Sequence, residues 1–141
     1  MSRPTPSTPA AGGDRPMAVL DASAVLAWLR DEPGAAVVTG YLDHAVISAV
    51  NLAEVHQKLA QRGVDADRTI RQLRSLGVEV RAFDTTDALA ASRLWPATRT
   101  AGLSLGDRCC LALAARLDAP AVTADTAWAA LEVGVTVVPI R

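Results

Sequence analysis

Four acidic residues stand where an alternating strand and helix pattern would place chemistry. Asp21 follows the apolar run AVL, Glu54 lies in the opening turns of a helical stretch, Asp107 follows Gly106 at the head of an Ala/Leu-rich helix, and Asp125 closes the run PAVTA. Each alone is satisfied by a helix cap. Asp is a favoured N-cap, and both Asn51-x-x-Glu54 and Ser104-x-x-Asp107 have the capping-box pattern. Gathered at one edge, however, four carboxylates repel and raise one another's pKa unless a cation neutralises them. A hard divalent ion does so, and Mg²⁺ favours a few carboxylates together with water and substrate phosphate oxygens. Such an ion lowers the pKa of bound water and stabilises charge on a phosphodiester, so no nucleophilic side chain is required. Ser23, two residues after Asp21, and Thr123, two before Asp125, are placed to hydrogen-bond the carboxylates or a water from a second shell.

The elements that must position these acids are legible as short apolar runs between longer helical patterns. Strands are expected at 18–20 (AVL), 45–49 (AVISA), 78–83 (VEVRAF), 120–124 (PAVTA) and 135–140 (VTVVPI). Between them come helices through SAVLAWLR, PGAAVVTGYLD opened by Pro33, NLAEVHQKLAQRG ended by Gly63, DADRTIRQLRSLG, TTDALAASRLW stopped by Pro96, the stretch after Gly106, and TAWAALE. Strands separated by such helices imply βαβ crossovers, hence a mainly parallel sheet with helices on both faces. Ligands of such sheets sit beyond the carboxyl ends of the strands, where the acids stand. Asp84 also follows a strand, but DTTD has the form of plain capping. Asp31, Glu32, Asp43, Asp65 and Asp67 belong to loops or helix starts at the other edge.

A chain of 141 residues with 50% hydrophobic content is one domain able to bury a core without disulfides or structural metal. Fourteen basic and fifteen acidic residues leave a net charge of −1, so no general positive field draws in nucleic acid, and RNA binding needs a local patch. Lys58 is the one lysine among the basic residues; the rest are arginines. Cys109 and Cys110 are adjacent, which suits neither a stapling disulfide nor a CxxC metal site, and they are expected to be small core residues in a reducing cytoplasm. No apolar run approaches the ~20 residues that span a bilayer, so no membrane partner is expected. Residues 1–16, rich in Pro, Ser, Thr and Gly, are expected to be a disordered extension, with Met17 as an alternative start.

Four motifs in order carry a family resemblance: VLDASAVLAWLRDEPG, ISAVNLAEVHQKLAQRG, GLSLGDRCCLALAARLDAPAVTADTAW and the closing VTVVPIR. From about Met17 to Arg141 the chain resembles bacterial PIN-domain proteins of the VapC toxin type. That resemblance implies a three-layer α/β/α sandwich around a mainly parallel sheet. It also implies endoribonuclease activity dependent on Mg²⁺, or on Mn²⁺ in its place. Its acidic set falls on Asp21, Glu54, Asp107 and Asp125 as catalytic and metal-binding residues, and its hydroxyl on Ser23. A VapB-like antitoxin that blocks the site, an RNA substrate and a homodimer joined through helices near the N-terminal half are further implications.

Arg99 and Arg108, beside the acids in sequence, are candidates for RNA phosphate contact, with a solvated or antitoxin-contacting role as the alternative. Trp28, Trp95 and Trp128 fall on apolar helical faces and are expected to pack in the core or a dimer, and His44 and His56 to be structural. An aspartyl-nucleophile phosphatase needs a second aspartate where Ser23 stands, and a receiver domain needs a strand-end lysine where none occurs. The remaining alternative is a non-catalytic PIN-like scaffold whose acids only cap helices.

Overall fold

The central strand, β1 (Ala18–Leu20), shows why its sequence is a continuous apolar run: all three residues are buried. Ala18 and Leu20 join the core beneath α1 (Ala22–Leu29) and α3 (Ala49–Gln61), while Val19 points the other way onto Cys110 and Leu111 of α7 (Leu105–Leu117). Strand side chains alternate faces, and a strand covered on both has no polar position to offer. The computed structural model describes residues 17–141. The extension expected over 1–16 lies outside the described residues.

With β2 (Ala45–Ser48), β3 (Glu79–Arg81), β4 (Ala121–Thr123) and β5 (Val137–Pro139), the sheet runs in the order β3-β2-β1-β4-β5, and every neighbouring pair is parallel. All five strands thus fall where the sequence pattern puts them, in an α/β/α arrangement. The chain builds outward from β1 to β3, then returns across the sheet to add β4 on the other side of β1. Where strand order reverses, the loops leaving β1 and β4 diverge to opposite faces and open a crevice. Asp21 ends one of those strands and Thr123–Asp125 end the other.

The helices differ from expectation at their ends, for local reasons. The helix expected from Pro33 is only α2 (Ala35–Thr39), because Gly34 before it has φ 96° and a Cβ there would lie 2.5 Å from the Ile140 carbonyl oxygen. Beyond α2 the chain tightens into a 3₁₀ turn at Leu42–His44. After α4 (Ala66–Ser75) and α5 (Thr85–Arg93), Pro96 does not simply stop a helix. It occupies the first turn of a new one, α6 (Trp95–Thr98), where a missing N–H costs nothing. The stretch at TAWAALE is a 3₁₀ turn, Thr126–Ala130. Asp84 caps α5 as expected, in a capping box with Asp87, whose carboxylate also meets Arg116 of α7 at 3.0 Å.

Trp128 is fully buried in the core beneath α7, whereas Trp95 is 50% exposed, with the Arg99 guanidinium 5.1 Å from its ring centre, so the expected apolar-face packing does not hold for Trp95 within the chain. Cys109 and Cys110 are buried free thiols; burial pushes Cys109 up to about 11, which keeps it neutral and unreactive. Among the described residues, no helix is long and apolar enough to cross a membrane. Leu111 is fully buried between α7 and the sheet. Leu111→Ala is expected to cost about 2–5 kcal/mol in chemical denaturation. A cost below about 1 kcal/mol would contradict α7 as the main cover of that face.

Candidate functional site

At the reversal point lies a cleft of about 450 Å³ lined by Asp21, Glu54 and Asp107, with Ser23 and Ser104 among its walls. Glu32, expected at the other edge, lines it too, because the loop after α1 folds back over the strand ends. Three elements deliver those acids. Asp21 is the N-cap residue of α1, yet its side chain makes no cap hydrogen bond. Its Oδ2 instead accepts from Ser23 Oγ at 2.6 Å and from Thr123 Oγ1 at 3.1 Å. Since each hydroxyl has one proton and spends it on Asp21, the 3.2 Å approach between the two oxygens is contact rather than a further bond. Ser23 Oγ in turn accepts from the Ala124 amide, and Thr123 Oγ1 from the Asp125 amide, both at 3.0 Å. These bonds tie the end of β1 to the end of β4. Asp21 Oδ1 is buried with no partner.

Glu54 is aimed by a residue that the sequence pattern misassigned. Asn51 is not the N-cap of a capping box, because α3 begins at Ala49 with Ser48 as its cap, the Ser48 side chain accepting from the Val50 amide. Asn51 is therefore inside the helix, one turn before Glu54 and on the same face. Fully buried, its Nδ2 donates to Glu54 Oε1 at 2.8 Å and to the Gly106 carbonyl at 2.9 Å. The carboxylate so held lies against Gly106, where a Cβ would stand 2.5 Å from Oε2. Only glycine lets the first turn of α7 approach Glu54 this closely.

Asp107 has both roles that its sequence context allows. It completes a capping box with Ser104, accepting from the Ser104 amide at 2.9 Å while its own amide donates to Ser104 Oγ at 3.1 Å, and it lines the cleft. Asp125 differs. It is exposed, caps the 3₁₀ turn by accepting from the Ala127 amide at 2.9 Å, and is not among the residues lining the cleft. Arg108 donates from Nη1 to the Leu103 carbonyl at 3.0 Å, and Arg99 lies over Trp95; neither lines the cleft. The cations that do are Arg30, Lys58 and Arg141, none singled out by the sequence pattern as phosphate contacts. Their places in the fold, after α1, along α3 and at the chain end, are brought together only by the folded sheet.

Asp21, whose carboxyl ordinarily titrates near 3.8, is pushed up to about 7. Burial is the main cause, the Ser23 hydrogen bond opposes it, and the negative charges of Asp107 and Glu54 add to it. The shift is thus mainly the cost of burying a charge, to which the neighbouring carboxylates add. The donor set fits a hard divalent cation: carboxylate oxygens only, one of them buried and unpartnered. Among the described residues, no three His, Cys, Asp or Glu side chains are grouped closely enough to hold an ion by themselves. An ion here would also draw on water and substrate oxygens, as Mg²⁺ commonly does.

A family model described as "PIN domain" matches residues 18–133 of the chain. The chain belongs to the PIN domain family. PIN domains are generally nucleases, which supports a hydrolase. Among solved structures, a toxin-antitoxin complex from Klebsiella pneumoniae is similar with a TM-score of 0.69 and 18% identity, over 88% of this chain and 98% of that one. FitAcB from Neisseria gonorrhoeae is similar with a TM-score of 0.66 and 22% identity, over 88% of this chain and 98% of that one. DNA-bound VapBC from Salmonella typhimurium gives a TM-score of 0.66 at 14% identity, over 90% of this chain and 100% of that one. At these identities the likeness is one of fold. No curated protein matches by sequence.

The raised Asp21 pKa has a definite sign for stability. Between about 4 and about 7 the folded PIN domain holds a proton that the unfolded chain has released, so this group's contribution is full at low pH and is lost as pH rises through about 7. In EDTA, Asp21→Asn is therefore expected to gain melting temperature relative to the unsubstituted protein on going from pH 5 to pH 8. Parallel melting curves across that range would show that Asp21 is ordinarily ionised and that the acids do not press on one another.

Proposed function

We propose that this PIN-domain protein is a divalent-metal-dependent endoribonuclease of the VapC toxin type, held inactive by a cognate VapB-like antitoxin. The observation that carries the reading is the convergence of Asp21, Glu54 and Asp107, from three separate elements, on one cleft at the strand-order reversal. Asp21, Glu54 and Asp107 would hold Mg²⁺, or Mn²⁺ in its place, and Asp125, at the end of β4, would join them by turning its carboxylate away from the Ala127 amide. When bound, the ion supplies an activated water and neutralises charge on the phosphodiester.

The chain's own residues prepare that chemistry. Ser23 and Thr123 occupy one oxygen of Asp21 and leave the other free to ligate. Asn51 turns Glu54 toward the first turn of α7, and Ser104 fixes the rotamer of Asp107 on the same side. Such outer partners fix ligand geometry before the ion arrives. No serine, cysteine or histidine is asked to attack. The partner assignment rests on similarity: the Klebsiella structure is titled a toxin-antitoxin complex, and both FitAB and VapBC appear in DNA-bound form among the similar structures. A homodimer and a cytoplasmic location complete the proposal.

A non-catalytic scaffold is the second reading, favoured by the capping bonds that Asp107 and Asp125 both make. Cleavage of total cellular RNA by the purified, antitoxin-free protein in Mg²⁺, Mn²⁺ or EDTA, with the new ends mapped, separates the two. Discrete cuts are expected only with metal, and Asp107→Asn should lower their rate by at least about a hundredfold. Cuts of equal rate in the variant, or none from a folded sample in either metal, would reject the nuclease.

A further inference from the structure

Charge in the acid cleft is not all negative, and its three cations differ in what they are free to do. Arg141 donates from Nη1 to Glu32 Oε1 at 3.3 Å and to the Pro33 carbonyl at 3.0 Å, which fastens the chain end over the loop after α1. Arg30 faces the other oxygen of Glu32 at 4.0 Å. Both arginines thus surround one carboxylate. Lys58, the one lysine of the chain, is exposed on α3, lines the same cleft, and has no ion-pair or hydrogen-bond partner among the described residues.

Its lack of a partner is unexpected on helical grounds. Glu54 precedes Lys58 by four residues on α3, the order and spacing at which Glu and Lys attract across one helical turn. The pair does not form, because the Asn51 amide holds Glu54 Oε1 and the carboxylate lies against Gly106 instead. The same bond that turns Glu54 into the acid cluster therefore releases the ammonium group of Lys58.

Resting on the nuclease reading above, we propose that Lys58 is a substrate-contacting residue that binds a backbone phosphate of the RNA in this cleft. An ammonium group offers three donors and a compact charge, which suit a non-bridging phosphate oxygen approached from varied directions. Phosphate drawn to the acids needs positive charge on its far side; the overall charge of −1 gives no general field, and Arg30 and Arg141 both face Glu32, which leaves Lys58. A contact of this kind holds the backbone and reads no base, so it would favour RNA binding without selecting a sequence.

The test compares Lys58→Gln and Lys58→Arg with the Lys58-intact protein, all full-length and all carrying Asp107→Asn to prevent cleavage. The probe is a labelled random-sequence 20-nucleotide single-stranded RNA, titrated in Mg²⁺ between 50 and 200 mM KCl. Lys58→Gln is expected to weaken binding about tenfold at the low-salt end and to reduce the slope of log affinity against log salt by about 0.7, the loss of one single-strand phosphate contact. Lys58→Arg should recover most of both, and melting temperature should not move in either variant. Equal affinity and slope in Lys58→Gln, or no RNA binding by the Lys58-intact protein, overturns the proposal. Cleavage by the protein without Asp107→Asn is scored separately. The predicted binding loss beside absent cleavage retains Lys58 as a phosphate contact and removes the nuclease, whereas cleavage beside unchanged binding does the reverse.

Discussion

A buried carboxylate with one oxygen satisfied and the other bare is costly to keep ionised, and Asp21, at the carboxyl end of the central strand, is such a group. Two hydroxyls stabilise its charged form through Oδ2, yet burial and the charges of Asp107 and Glu54 outweigh them. A fold that selected only for stability would replace Asp21 with an apolar residue or an asparagine whose groups were all paired. A cation bound there would relieve the unmatched oxygen and the mutual repulsion together.

The rest of the edge is organised around the same demand. Ser23 and Thr123 couple the ends of β1 and β4, so the strand pairing that builds the sheet also fixes the Asp21 rotamer. Asn51 performs the corresponding task between helices, joining Glu54 on α3 to the backbone of α7 next to Asp107. Gly106 permits that approach, since any side chain would collide with the Glu54 carboxylate. Strand pairing, helix packing and acid placement are therefore one set of contacts, and shifting any element would disperse the carboxylates.

Much of this was legible in the sequence, because the frame is written in local terms. The strands are short apolar runs bounded by helix patterns, and a strand buried on both faces, such as AVL, cannot be mistaken for a surface segment. Asp21 was visible as an acid directly after a strand, Glu54 and Asp107 as acids in the opening turns of helices, and Asp84 was separable as a cap because its partner Asp87 lies within the same turn. What the sequence concealed depends on distance through space. Asn51 had the spacing of a capping box, but the helix starts two residues earlier, at Ala49, so its amide reaches across to α7. Lys58 was visible only as a mid-helix lysine, and Arg99 and Arg108 were near the acids in sequence while neither lines the cleft. Asp125 matched by pattern, yet its side chain is turned to the 3₁₀ turn that follows. Whether a strand-end acid faces the cleft or its own turn is decided by a side-chain rotation that no spacing encodes.

The central claim is that acids from separate elements act on one ion rather than capping separate helices. Titration of the purified protein with Mn²⁺, read by calorimetry and by the electron paramagnetic resonance of free Mn²⁺, tests it most directly when repeated on Asp21→Asn, Glu54→Gln and Asp107→Asn. The account predicts saturable binding at a shared site that each single substitution weakens by about tenfold or more, with all variants folded. Mn²⁺ binding that is absent, or that survives every substitution unchanged, would contradict it.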